Sequence, residues 1–168
     1  MRIAVMGAGA IGCLVAGYLK EGGEEVTLVG HHASVEAIKD NGIAISGVRG
    51  NFLLRVNIAD TLSYIPDLVI LTTKTQDIDS ALADSAHLIQ NSLLLTTQNG
   101  VQADKLVAKY LPVEKIISSI VMFGATNLES GKVVHNFEGS WIIGSLFNPH
   151  PTELLISLSL VLDKAFPA

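Results

Sequence analysis

The chain has 168 residues, 49% hydrophobic and only 16% charged, with a formal net charge of −5, a pI near 5.4 and a mean hydropathy of +0.45. That length fits one domain whose core stands without disulfides or metals, and its acidic balance offers no basic field to nucleic acid or an anionic membrane. The single cysteine, Cys13, excludes an intramolecular disulfide and a cysteine-built zinc site, which makes a reducing compartment, the cytoplasm, the default expectation.

So apolar a composition predicts strands covered on both faces in an α/β layer structure. A short strand is expected at residues 3–6, then "GAGAIGC" at residues 7–13. A helix over 10–19 stops at "KEGGEE", where Gly22 and Gly23 supply its end. "VTLVG" is a β-branched strand. Strand, glycine turn, helix and strand within about 30 residues make a βαβ unit with parallel strands. Ser34 is expected to cap a short helix ending at residues 40–42. Residues 43–56 alternate around two glycines, as a small antiparallel excursion or an irregular third strand.

Beyond Asp67 the pattern sharpens. "LVILTT" is a fully apolar strand, residues 77–89 have helical periodicity, and "SLLLTTQNG" is another buried strand. A helix over 101–110, a strand at "KIISSIVMF", an antiparallel pair from "SGKVVHNF" and "SWIIGS", and a closing helix over 153–165 after "NPHP" complete the chain. The fold class expected is a doubly wound, mostly parallel Rossmann-type sheet with a small antiparallel section near the C-terminal end. No internal repeat or linker divides it, so one domain over 1–168 is expected.

The spacing Gly7, Gly9, Gly12 between a predicted strand and helix is the G-x-G-x-x-G of a dinucleotide cradle. Gly7 would permit the tight turn, Gly9 a close approach of backbone to pyrophosphate, and Gly12 the packing of helix on strand. Residues Gly7, Ala8, Gly9, Ala10, Ile11 and Gly12 are therefore the candidate phosphate site, with helix amides and dipole attracting the anion. Two other readings stand beside it. One is a small-residue packing turn. The other is an export signal with Cys13 as a lipid attachment point, disfavoured by Gly7, Gly9, Gly12 and Gly17 within the apolar run and by a basic region of one residue, Arg2. Cys13 itself reads as a small buried filler.

At the end of the second strand, where NAD-preferring proteins carry Asp or Glu, stand Gly30, His31 and His32. Without a carboxylate there, NADP is favoured and His31 can donate to its 2′-phosphate; a pair of exposed loop histidines is the plainer alternative. A metal site is not expected, since the other histidines lack ligand spacing. Ligands of open α/β sheets bind outside the carboxyl ends of the strands. That places Thr72, Thr73, Lys74 and Gln76 after one strand, and Gln98, Asn99 and Gly100 after the next. Lys74 can meet a phosphate or carboxylate and Asn99 a carboxamide or hydroxyl, or they are a solvated lysine and an Asn-Gly turn.

Taken with "MRIAVMGAGAIGCLVAGYL", "LVILTTKTQD", "TTQNGVQ" and "FGATNLESGKVVHNFEGSWIIG", the chain resembles the ketopantoate reductases (2-dehydropantoate 2-reductases) along essentially its whole length. The resemblance implies reduction of ketopantoate to pantoate with NADPH, on the route to pantothenate. It implies that residues 7–12 hold the pyrophosphate, that Lys74 lies near the cofactor, that Asn99 lies where nicotinamide and substrate meet, and that Ala125 adds a backbone contact to the nicotinamide end. The implied partner is a small 2-oxoacid, and a homodimer is left open.

Two departures from the family matter. His31 or His32 stands where many members carry an arginine for the 2′-phosphate. The family also has a second, helical domain bearing the lysine that acts as general acid, and this chain stops at Ala168, about where that domain should begin. No catalytic residue is therefore expected within these residues, which should bind a dinucleotide but turn over substrate very slowly or not at all. The competing readings are a nucleotide-sensing Rossmann module, which would need neither Lys74 nor Asn99, and a fold retained without dinucleotide binding.

Overall fold

The computed structural model describes residues 1–147, 149 and 151–166. The chain runs β1 (Arg2–Met6), α1 (Ala10–Glu21), β2 (Glu25–Val29), α2 (His32–Asn41), β3 (Ile43–Gly47), β4 (Phe52–Leu54), β5 (Asn57–Ala59) and β6 (Leu68–Leu71). It continues through α3 (Ile78–Ala83), α4 (Ala86–Ile89), β7 (Leu93–Thr96), α5 (Gln102–Val107), β8 (Ile116–Val121), β9 (Gly124–Glu129), β10 (Lys132–Phe137), β11 (Trp141–Gly144) and α6 (Thr152–Leu162).

A seven-stranded sheet has the order β11-β8-β7-β6-β1-β2-β5. Its pairings are parallel except β11 on β8. Strands β1 and β6 are fully apolar and buried apart from Arg2, as strands covered on both faces must be. One face carries Ile78, Leu82, Ile89, Ala103 and Val107 from α3, α4 and α5. The other carries α1, whose residues from Gly12 to Leu19 are all buried. The reason is a second sheet of four strands, β4-β3-β10-β9: α1 touches β1 and β2 on one side and β3, β4, β9 and β10 on the other. A helix clamped between two sheets has no solvent face, which explains why its sequence is apolar all round.

Several expectations are corrected. "KVVHNF" and "WIIG" do not pair with each other: β10 joins β9 antiparallel and β3 parallel, while β11 joins β8. The physical reason is that the two strands belong to different sheets: Val133 and His135 are buried on β10 in the four-stranded sheet, while β11 extends the seven-stranded one and its Trp141 packs against Phe123 at 5.6 Å. The excursion over 43–56 is the β3–β4 hairpin, and it builds the second sheet together with the later strands, so the antiparallel section is not confined to the C-terminal end. The edge strand of the main sheet on that side is β5, which no sequence pattern announced. Ser34 is inside the first turn of α2, its N–H bonded to His31 O at 2.8 Å, and the extended residue that opens the helix is His31. The helix expected over 77–89 is two short ones, because Ser85 N–H bonds to Leu82 O three residues back instead of four. Residues 148 and 150 of "NPHP" lie outside the described residues; α6 begins at Thr152 and ends at Leu162.

The segment after α6 turns inward. Phe166 is fully buried, stacked 3.6 Å from Phe123, and in contact with Tyr18, His135 and Trp141. Arg49 lies over the Tyr18 and Phe166 rings at 4.8 and 5.2 Å and donates to Ala165 O. His135, with no exposure, meets the Tyr18 hydroxyl through Nδ1 at 3.2 Å, and its Nε2 has no protein partner. Cys13 is equally buried and burial pushes its thiol up to about 11, so it is an inert filler within α1. Residues of the would-be export signal are thus β1, the glycine turn and α1 of the folded core.

Candidate functional site

The chain visits β2 and β5 on one side of β1 and β6, β7 and β8 on the other, so the strand order reverses between β1 and β6. At a reversal of this kind the connections diverge and leave a crevice outside the strand ends. Here it is a cleft of about 540 Å³, walled by the turn after β1, the ends of β2 and β5, and the segment from Thr72 to Ser85.

The glycine turn is shaped by close contacts. Gly7 has φ +119°, which L side chains rarely adopt, and a Cβ there would also lie 2.8 Å from the Thr73 amide nitrogen. Its own N–H donates to Val29 O at 2.8 Å. A Cβ at Gly12 would overlap the Gly7 carbonyl and come within 2.6 Å of Thr72 Oγ1. Thr72 is a clip: its N–H donates to Met6 O at 2.8 Å and its hydroxyl is shared by Met6 O and Gly7 O at 3.0 and 2.8 Å. Gly9 differs from both, being exposed with nothing within 4 Å of a Cβ built on it. Directly beyond it α1 begins with no capping side chain and no acidic residue in its first turn. Free amides, a helix dipole and empty space in front of Gly9 are what a bound anion requires.

On the β2 side, His31 and His32 are exposed and line the cleft with Gly30 and Ser34. A side chain at position 30 would collide with Ala8, whose Cβ lies 2.5 Å from the built Cβ. Asp60 and Thr61, at the end of β5, complete this wall. Sequence reasoning misses them because β5 is only three residues long, Asn57 exposed and Ile58 and Ala59 half-buried; an acidic residue ending a short "NIA" run was the only signal available.

On the β6 side stand Thr73, Lys74, Asp77, Ser80 and Asp84. Lys74 is exposed and makes no ion pair among the described residues, and the Thr73 hydroxyl is shielded from solvent without a protein partner. Gln98 is a strap: its Nε2 donates to Leu71 O at 3.1 Å and Thr73 O at 2.7 Å, and its Oε1 accepts from Thr97 N. Its amide is therefore spent holding the β6 and β7 loops together. Asn99 and Gly100 are exposed just beyond that strap, and Gln76 is exposed on the 3-10 turn after Lys74. Gln98, Asn99, Gly100, Gln76, Ala10, Ile11, Gly12 and Ala125 do not line this cleft; Gly12 is buried beneath it and Ala125 sits on β9 opposite His135.

A buried polar network under the "TTQNG" turn was not anticipated. Asp104 on α5 accepts from Thr96 Oγ1 at 2.6 Å and from Ser118 Oγ at 2.8 Å. Ser119 donates to Thr96 O at 2.5 Å and accepts from Trp141 Nε1 at 2.9 Å. These bonds lock the ends of β7, β8 and β11 on α5. Among the described residues no group of three or more His, Cys, Asp or Glu is placed to hold a metal ion, and no helix is long and apolar enough to cross a membrane.

Residues 3–148 match the family model described as ketopantoate reductase PanE/ApbA. A 2-dehydropantoate 2-reductase from Pyrococcus horikoshii is 36% identical over 147 residues, covering 86% of this chain and 47% of that protein. The crystal structure of 2-dehydropantoate 2-reductase from Geobacter metallireducens superposes with a TM-score of 0.83 at 26% identity, over 98% of this chain and 56% of the other. A D-mandelate dehydrogenase solved with NADH and anilino(oxo)acetate superposes with a TM-score of 0.89 at 26% identity, over 98% of this chain and 54% of the other. The chain thus spans about half the length of the curated relatives it matches. With a glycine cradle at the sheet's reversal and a family model matched along nearly its full length, the chain belongs to the ketopantoate reductase PanE/ApbA family.

Proposed function

We propose that these residues are the dinucleotide-binding part of an NADPH-dependent reductase that converts ketopantoate to pantoate. The observation that carries the reading is the contrast within one turn: Gly7 and Gly12 are closed to any side chain, while Gly9 faces open space at an uncapped helix start. The relatives' names supply the substrate, and the D-mandelate dehydrogenase with NADH supports the cofactor class.

The bound nicotinamide supplies the hydride. The amides of Ala8, Gly9, Ala10 and Ile11 bind and neutralise the pyrophosphate. Lys74, which makes no ion pair among the described residues, adds a positive charge, Thr72 holds its loop against the glycine turn, Gln98 ties that loop to the end of β7, and the Thr73 hydroxyl gains a partner. Asn99 and Gly100, with the backbone at Ala125, are assigned to the nicotinamide end, where the Asn99 amide orients carboxamide or substrate hydroxyl. NADP is preferred over NAD on the strength of His31 and His32 at the end of β2 and the absence of a carboxylate at position 30.

A 2-oxo carbonyl that accepts hydride builds negative charge on oxygen and needs a proton donor beside it. Lys74 is the one lysine or arginine lining the cleft among the described residues, and it is assigned to the cofactor. By resemblance to the family, the donor is assigned to a second, helical domain. Titrating NADPH by fluorescence and then assaying ketopantoate tests both statements. Binding without turnover above background is expected. Absence of binding overturns the cofactor reading, and turnover at an ordinary enzyme rate overturns the assignment of the donor.

A further inference from the structure

The position that carries the ribose-binding acid in many dinucleotide folds is closed in this chain. Gly30 follows β2 directly, and any side chain there meets Ala8 of the glycine turn. The next strand outward supplies a carboxylate instead. β5 runs parallel to β2 with Val29 opposite Ala59, and Gly30 N–H donates to Ala59 O at 3.0 Å. Asp60 therefore leaves the sheet beside Gly30, one strand spacing of about 4.8 Å away, and lines the same cleft as His31 and His32. It is exposed and makes no ion pair among the described residues; the one bond to its side chain is from the neighbouring Thr61 hydroxyl to Oδ1 at 3.3 Å. Oδ2 and the remaining lone pairs are open to a ligand.

We propose that Asp60 is a specificity-determining residue of the cofactor cleft: it accepts a hydrogen bond from an adenosine ribose hydroxyl and penalises a phosphate at that position. This rests on the reading of the cleft as a dinucleotide site. The chain then holds two opposed determinants on adjacent strands. His31 and His32 attract a 2′-phosphate and Asp60 repels it, so the preference for NADPH over NADH is shallow. Asp77 and Asp84 face the cleft from the β6 side and contribute to its general acidity, while Asp60 alone stands next to the strand end where the ribose is bound in folds of this class.

The test measures dissociation constants of the 168-residue chain for NADH and NADPH by fluorescence titration, in the native protein and in Asp60→Asn. Glu25→Gln, an exposed residue at the opposite end of β2, removes the same charge away from the cleft. The expected result is a shift of the NADH-to-NADPH affinity ratio by at least about tenfold toward NADPH in Asp60→Asn, the size of one hydrogen bond to a charged group, with Glu25→Gln unchanged. A ratio within about twofold of native in Asp60→Asn overturns the proposal, as does an equal shift in Glu25→Gln, which would mark a general field effect. If the native chain binds neither nucleotide, the reading of the cleft fails, and Asp60 with it. If both bind and the ratio is insensitive to Asp60, that reading survives and only this proposal is lost.

Discussion

The Gly7 carbonyl oxygen occupies the space that any side chain at Gly12 would need, and the same oxygen accepts a hydrogen bond from the Thr72 hydroxyl. Strand β1, helix α1 and strand β6 are thereby held at a separation that only a missing Cβ allows. Gly12→Ala is expected to destabilise the chain by about 2–4 kcal/mol, the cost of overpacking against backbone that has nowhere to move. Urea unfolding measures this, and an unchanged midpoint would show that the turn relaxes freely.

Gly9→Ala should behave in the opposite way. With nothing within 4 Å of the added methyl, stability should stay within about 0.5 kcal/mol of native. Dinucleotide affinity should fall by about tenfold or more as the methyl displaces the anion from the helix amides. Running the two variants side by side separates a packing glycine from a binding one. Equal affinity in native protein and Gly9→Ala would argue for a packing turn only.

Lys74→Gln removes an exposed charge that makes no ion pair among the described residues, so the fold should hold to within about 0.5 kcal/mol. Affinity for NADPH should drop by about tenfold at low ionic strength, and the gap should narrow as salt screens the lysine of the native chain. Titrations at low and high salt measure both effects; a salt-independent gap would count against a charge–charge role.

Asp104 is buried at 3% exposure and satisfies two hydroxyls at once. Truncation in Asp104→Ala strands the Thr96 and Ser118 hydroxyls and is expected to cost about 2–4 kcal/mol. Denaturant unfolding of Asp104→Ala against an exposed control, Asp40→Ala, is the measurement. Equal midpoints would mean that the network under the Asn99 turn carries no stability.

Burial, and after it the nearby Arg49 guanidinium, hold the His135 imidazole below its ordinary value. A base with a depressed folded pKa takes up its proton more readily in the unfolded chain. Its contribution to stability is therefore present above the unfolded value of about 6.5 and is lost as pH falls below it. The unfolding free energy should decline as pH falls below about 6.5, by up to about 1.4 kcal/mol per unit, and His135→Phe should flatten that decline. Glu24 titrates in a separate, lower window. Burial works to raise its carboxyl, but hydrogen bonds from Lys164 and the amino terminus outweigh burial and hold it below the ordinary carboxylate value. An unchanged slope in His135→Phe would assign the pH effect elsewhere.

Much of the main sheet was legible because its signals are local. Apolar runs of strand length mark β1, β2, β6, β7 and β8, and the glycine spacing marks the turn before α1. The second sheet was not legible, since β10 finds β3 across some 90 residues of chain and nothing in either segment names its partner. The apolar faces of α1 are the trace that this sheet leaves in the sequence, visible as a helix with no polar side. In the cleft, Gly7, Gly9, Lys74 and the histidines were found by spacing and by position at strand ends. Asp60 was missed because a strand of three residues, none of them buried, has no periodicity to detect.

The class of chain and the spacing of its glycine turn could be read from the residue order, because both depend on residues close together along the backbone. Which glycine is closed and which is open, that Thr72 and Gln98 clip loops together, and that a carboxylate at the end of β5 stands beside the histidines after β2 follow from long-range packing. Those are facts about distance between segments far apart in sequence, set by sheet order and by the packing of α1 between two sheets.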